Sequence, residues 1–121
     1  WLIFSNPGYK KFFIEIEQGN SYTTHMALLE FYHFLFHNNG KEEADQKLSE
    51  VLAYLEIVPL DIDLVKESGI FRSNGLKQKK KFSYTDSVNY AAAQRLKIKL
   101  LTGDQEFKGM KNVEFVPKAT A

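Results

Sequence analysis

Every short β-branched or apolar run in this chain is separated from the next by a segment of helical length, and no two-residue hairpin turn joins any pair of them. Antiparallel neighbours need only a tight turn, whereas parallel neighbours need a crossover of a dozen or more residues. The alternation therefore points to a parallel sheet covered by helices on both faces. In open sheets of that kind ligands bind outside the carboxyl ends of the strands. A functional site is expected at that rim.

Residues 1–4 are apolar, and Asn6-Pro7 has the form of a helix start, an asparagine cap with proline in the first turn. Phe12, Phe13 and Ile16 continue at helical spacing until Gly19-Asn20. Residues 21–24 form a brief strand. Residues 26–37 are dense in apolar side chains, and the polar positions Glu30, His33 and His37 leave one narrow stripe on an otherwise buried helix. After Gly40, residues 41–55 are amphipathic, with Ala44, Leu48, Val51, Leu52 and Leu55 on the inner face. Residues 56–60 are strand-like, and Asp61 caps a helix through Phe71. Residues 72–81 contain Ser73-Asn74-Gly75 and end in a lysine cluster, the composition of a loop.

Ser83-Tyr84-Thr85-Asp86 has the capping-box pattern of a hydroxyl with an acid three residues later, opening a helix through Ala91, Ala92, Ala93 and Leu96. Ile98, Leu100 and Leu101 form a buried strand closed by the turn Thr102-Gly103-Asp104, and residues 113–116 form a last strand. No repeat or linker interrupts the pattern. A chain of 121 residues, 44% hydrophobic, fits one domain over residues 1–121.

Composition narrows the chemistry. The chain has no cysteine, which excludes disulfides, zinc–thiolate sites and thiol nucleophiles and fits a reducing cytoplasm, the expected location. No apolar run approaches a membrane span of about 20 residues, so no membrane partner is expected. A net charge of +1 does not announce a nucleic-acid binder, although local clusters count for more than the total.

Three carboxylates stand where an apolar element begins, ends or turns. They are Glu30 in Leu28-Leu29-Glu30-Phe31-Tyr32, Asp86 in Tyr84-Thr85-Asp86-Ser87 and Asp104 in Leu101-Thr102-Gly103-Asp104. Taken singly, Asp86 reads as a helix cap, Asp104 as a turn residue and Glu30 as a solvated acid. Taken together, they can meet at the rim of the sheet, where a hard cation such as Mg²⁺ or Mn²⁺ favours oxygen ligands.

These segments, in this order, resemble the PIN-domain nucleases, particularly the VapC-like toxins of toxin–antitoxin pairs. The resemblance runs from Leu2 to Val116. It rests on Thr23-Thr24 with Leu28-Leu29-Glu30-Phe31-Tyr32, on Phe82-Ser83-Tyr84-Thr85-Asp86-Ser87 with Ala91-Ala92-Ala93, and on Leu101-Thr102-Gly103-Asp104 with Phe107-Lys108 and Val113-Glu114-Phe115-Val116. It implies a three-layer α/β/α sandwich around a parallel sheet and a Mg²⁺- or Mn²⁺-dependent endoribonuclease. By position, Glu30, Asp86 and Asp104 resemble three of the family's metal-binding acids, and Thr102 resembles a catalytic-site hydroxyl that supports them. A cognate antitoxin and a second copy of the chain are the partners it implies.

The chain departs from the family at its front. The family's first acid is an aspartate ending the central strand, and nothing before Glu30 matches it; Glu15 and Glu17 fall inside the first expected helix. The stretch Leu2-Ile3-Phe4-Ser5-Asn6-Pro7 resembles the family segment just after that aspartate, so the first strand is expected to be missing or truncated, with residues lying before Trp1. In a second reading residues 1–4 are themselves the strand, Phe4 stands in the acid's place, and the site has three acids.

Lys79, Lys80 and Lys81, with Lys77 and Arg72 near them, form either an RNA-phosphate-contacting loop or a solvated one. His25, His33 and His37 share one helical region, and Glu30-x-x-His33 has the spacing of carboxylate-bridged metal bundles, but no second copy of that motif exists. The aromatic helix of Phe31, Tyr32, Phe34 and Phe36 needs cover on two sides, from its own domain or from a partner. Two other functions share the fold: a degenerate, non-catalytic RNA- or protein-binding module and a housekeeping RNA-processing nuclease.

Overall fold

A five-stranded, wholly parallel sheet organises the computed structural model, which describes residues 2–3 and 21–116. Its strands are β1 (Leu2–Ile3), β2 (Tyr22–Thr24), β3 (Glu56–Val58), β4 (Leu100–Thr102) and β5 (Val113–Phe115), in the order β3-β2-β1-β4-β5. Four helices stand among the described residues: α1 (His25–Asn39), α2 (Lys41–Leu52), α3 (Ile62–Lys77) and α4 (Tyr84–Leu96). A 3₁₀ turn, Gln105–Phe107, comes after β4. This is the α/β/α architecture that the alternation of strands and helices implies. Among the described residues no helix is long and apolar enough to cross a membrane.

The centre of the sheet belongs to β1, with Leu2 level with both Tyr22 and Leu100, and Ile3 level with Leu101. This central strand is short, two residues among those described, and both readings of the front of the chain accommodate it. The chain adds β2 and β3 on one side of β1 and then crosses to add β4 and β5 on the other. That reversal opens a crevice at the carboxyl ends of β1 and β4, the place where ligands bind in such sheets. The helix expected to begin at Asn6 and Pro7 lies outside the described residues.

Burial explains the choice of residues. All three residues of β4 are buried, as the inside of a sheet covered on both faces requires. Helix α4 is buried continuously from Thr85 to Ala93, and it packs on α3, α1 and strands β1, β2 and β4. Ala91, Ala92 and Ala93 allow that close approach on every side. Phe71, Phe82, Tyr90 and Phe107 stack between α3, α4 and the 3₁₀ turn, with successive ring centroids 4.5–5.8 Å apart. A smaller cluster of Phe31, Leu35 and Ala44, flanked by Leu48 and Val51, joins α1 to α2.

Four expectations change. Helix α3 does not stop at Phe71 but runs through Ser73, Asn74 and Gly75 to Lys77. Gly75 is there because Phe82 lies against it: a Cβ at this position would meet the Phe82 ring at 2.7 Å. Close packing, not a turn, is the reason for the glycine. Helix α1 is less buried than its composition suggests: Ala27, Phe31 and Leu35 face inward, while Leu29, Phe34 and Phe36 are 63%, 49% and 50% exposed. Helix α2 ends at Leu52, short of Leu55, and Ile98 precedes β4 without joining it.

Candidate active site

The site is assembled by three chain segments that begin or end at the carboxyl rim of the sheet. Helix α4 begins there because Ser83 caps it: the Asp86 amide donates to Ser83 Oγ at 3.0 Å, and Ser87 Oγ donates to the Ser83 carbonyl at 2.8 Å. This cap fixes Asp86 in the first turn, where the residue is 8% exposed. Asp104 arrives from the other side. Its amide donates to Thr102 Oγ1 at 3.2 Å, and its carboxylate accepts from the Glu106 amide at 2.9 Å, capping the 3₁₀ turn.

Glu30 comes third, on the exposed part of α1. That helix is capped by Thr24, whose Oγ1 accepts from the Ala27 amide at 3.1 Å. The same Thr24 hydroxyl donates to Asn89 Oδ1, one turn beyond Asp86 on α4. One side chain thus ties the start of α1 to the start of α4. Asn89 is buried, and sequence reasoning missed it; its only signal was a polar residue three positions after Asp86 on a helix otherwise rich in alanine.

The electrostatics report the convergence. Burial pushes the Asp86 carboxyl up to about 7, the Asp104 charge and a carboxyl–carboxyl hydrogen bond to Asp104 push the same way, Glu30 adds a smaller push, and a hydrogen bond from Ser83 opposes them. The carboxyl groups from α4 and the β4 turn are close enough to act on one another, and Glu30 is close enough for its charge to be felt at Asp86. A buried pair of this kind is the sort of arrangement found where carboxylates do chemistry.

A PIN-domain family model matches residues 1–113. The chain belongs to the PIN-domain family. The fold agrees with solved VapC structures. The toxin VapC20 of Mycobacterium tuberculosis, which cleaves the sarcin–ricin loop, superposes with a TM-score of 0.70 at 17% identity, over 89% of this chain and 82% of that one. The DNA-bound VapBC complex of Salmonella typhimurium gives 0.70 at 13% identity, over 89% and 81%. VapBC2 of Rickettsia felis, bound to a promoter fragment, gives 0.70 at 18% identity, over 92% and 84%. At these identities the likeness is one of fold. No curated protein matches the sequence.

Within this PIN domain the oxygen donors of Asp86 and Asp104 would suit a hard divalent cation, whose charge would offset the burial and the neighbouring carboxylate that push the Asp86 carboxyl up. Glu30 exerts the weakest of the influences on Asp86. Among the described residues no three acidic or histidine side chains converge closely enough to form a complete ligand set. Thr102 is buried beneath the Asp104 amide and positions the turn.

The lysine cluster adjoins this turn. Lys80 Nζ donates to the Glu106 carbonyl at 3.3 Å, tying the segment after α3 to the Asp104 turn, while Lys79 and Lys81 are exposed. Lys79 turns the chain there with a left-handed φ of 62°. His33 and His37 stack with ring centroids 6.0 Å apart on the exposed side of α1, and neither they nor His25 joins a metal-ligand group among the described residues.

Proposed function

We propose that this PIN domain is a metal-dependent endoribonuclease that hydrolyses RNA phosphodiester bonds, acting as the toxin of a toxin–antitoxin pair. The observation that carries the reading is the approach of Asp104, after β4, to the buried Asp86 in the first turn of α4, at the carboxyl rim of a parallel sheet. Asp86 and Asp104 would hold Mg²⁺ or Mn²⁺, and Glu30 would bind it directly or through water. When bound, such a cation raises the hydroxide fraction of a water and neutralises charge on the phosphoryl group. The chain's own residues set the geometry. Ser83 fixes the Asp86 backbone, Thr102 and the Glu106 amide hold Asp104, and Asn89 with Thr24 locks α4 against α1. Lys79, Lys80 and Lys81 draw the RNA backbone to the rim.

The toxin reading also gives a use to the exposed Leu29, Phe34 and Phe36 of α1, which supply apolar area for an antitoxin or a second copy of the chain. The second reading is a non-catalytic RNA- or protein-binding PIN domain. One observation favours it: no complete acidic ligand set stands among the described residues. The experiment that separates the two is cleavage of a mixed RNA panel in Mn²⁺ against EDTA, with Asp86→Asn alongside. Manganese-dependent cuts that disappear in the variant support the nuclease. Failure of the well-folded protein to cut any RNA supports the binding module.

A further inference from the structure

We propose that Asn89 is a positioning residue for Glu30: its bond to Thr24 sets how α1 approaches α4, and Glu30 adds to cation binding only while that bond is made. The proposal rests on the metal-dependent reading and adds to it the buried residue that brings the third acid to the site.

Asn89 is 1% exposed in the middle of α4, between Val88 and Tyr90 and just before the three alanines. Asparagine is a poor choice there on two counts. It lowers helix propensity, and its amide loses water unless a partner replaces it. An apolar side chain would fill the same place, but apolar contact is non-directional and leaves α4 free to slide or turn on its neighbours. A hydrogen bond between two buried groups removes that freedom.

The partner is itself fixed from two directions. Thr24 is the last residue of β2, level with Val58 of β3. It is also the cap of α1, accepting from the Ala27 amide. Its hydroxyl donates to Asn89 Oδ1. Asn89 therefore takes its place from the rim of the sheet and the start of α1 together.

The acids depend on this bond unequally. Asp86 is three residues before Asn89, so the two share a face of α4, about 4.5 Å apart along its axis. Asp86 and Asp104 are also held locally, by Ser83 on one side and by Thr102 and the Glu106 amide on the other. Among the described residues no ion pair anchors the Glu30 carboxylate, which lies six residues beyond Thr24 on α1. Its charge still reaches Asp86. The separation of these two carboxyl groups is thus set by how α1 sits against α4. Loss of Asn89 should leave the Asp86–Asp104 approach in place and uncouple Glu30 from it.

The test is titration with Mn²⁺, followed by the electron paramagnetic resonance of the free ion. Four proteins are compared: the parent, Glu30→Gln, Asn89→Ala and the double variant. Glu30→Gln is expected to weaken binding about tenfold in the parent, the size typical of groups that support a metal's direct ligands, and less than about twofold once Asn89 is alanine. Asn89→Ala alone is expected to bind as Glu30→Gln does. Thr24→Ser, which keeps the hydroxyl, is expected to retain the Glu30 effect and Thr24→Val to lose it, a second route should Asn89→Ala fail to fold. A lower melting temperature for Asn89→Ala with an undiminished Glu30 effect would show that the amide is merely structural and would overturn the proposal. Equal Mn²⁺ affinity of the parent and Glu30→Gln would overturn it too, while leaving the Asp86–Asp104 centre standing. Absence of Mn²⁺ binding by the folded parent would remove the metal reading and the proposal together.

Discussion

The hydroxyl of Thr24 donates to the side-chain carbonyl of Asn89, 65 positions away in sequence, and both residues are buried. That bond joins the cap of α1, the helix of Glu30, to α4, the helix of Asp86. Thr24 is also the acceptor for the Ala27 amide. Its replacement by valine strands the Asn89 oxygen and the Ala27 donor in a dry place. A stranded buried group costs about 1–3 kcal/mol, so Thr24→Val is expected to lower the urea midpoint clearly. Thr24→Ser, which keeps the oxygen and loses one buried methyl, is expected to cost about 0.8 kcal/mol, less than Thr24→Val. Equal midpoints for the two variants would show that the bond does not hold the helices together.

Two glycines of α3 are expected to respond in opposite directions to the same substitution. A Cβ on Gly69 would meet no atom within 4 Å, whereas a Cβ on Gly75 would lie 2.7 Å from the Phe82 ring and 3.3 Å from the Lys80 carbonyl. Gly69→Ala gains the helix propensity of alanine, up to about 1 kcal/mol. Gly75→Ala overpacks a site whose ring is held in the aromatic stack, at a cost of about 1–3 kcal/mol. Denaturant midpoints of the two variants measure this directly. A stabilising Gly75→Ala would mean that Phe82 does not sit where the packing places it.

Ionisation of Asp86 works against the folded state. Its folded value of about 7 lies above the ordinary carboxylate value of 3.8, so the folded state binds the proton more tightly than the unfolded chain does. The contribution to stability is therefore highest below about pH 4, falls as pH rises through 4 to 7, and levels off above 7. At about 1.4 kcal/mol per pKa unit the upper limit is roughly 4 kcal/mol, and water reaching the site reduces it to about 2. Asp86→Asn removes the titration, so in metal-free buffer at pH 8 the variant is expected to be more stable than the parent. Melting temperatures of the two proteins across pH 4.5 to 8 should diverge as pH rises. Parallel curves would contradict the raised Asp86 carboxyl.

How much of this was legible in the sequence depends on how local the cause was. Asp61 and Ser83 announced their helices because a cap is a bond to an amide three residues on, and the structure has both, to Leu64 at 2.8 Å and to Asp86 at 3.0 Å. The order of strands and helices announced a parallel sheet for the same reason. Ser73-Asn74-Gly75 misled because composition cannot distinguish a glycine that turns the chain from one that makes room for Phe82. The apolar density of α1 overstated its burial, since nothing local says which helices will pack on it. The meeting of Asp86 with Asp104 was only permitted by the sequence, because it depends on the register of β4 against the start of α4. Asn89 stayed hidden because its partner is distant in the chain.

The central claim is that Asp86 and Asp104 form a centre for a divalent cation, and direct titration of Mn²⁺ into the metal-free protein, monitored by the electron paramagnetic resonance of free Mn²⁺, tests it most closely. Saturable binding by the parent is expected at pH 7.5, with proton release on binding, and at least tenfold weaker binding by Asp86→Asn and by Asp104→Asn. Equal Mn²⁺ affinity in all three proteins, or none in the folded parent, would contradict it.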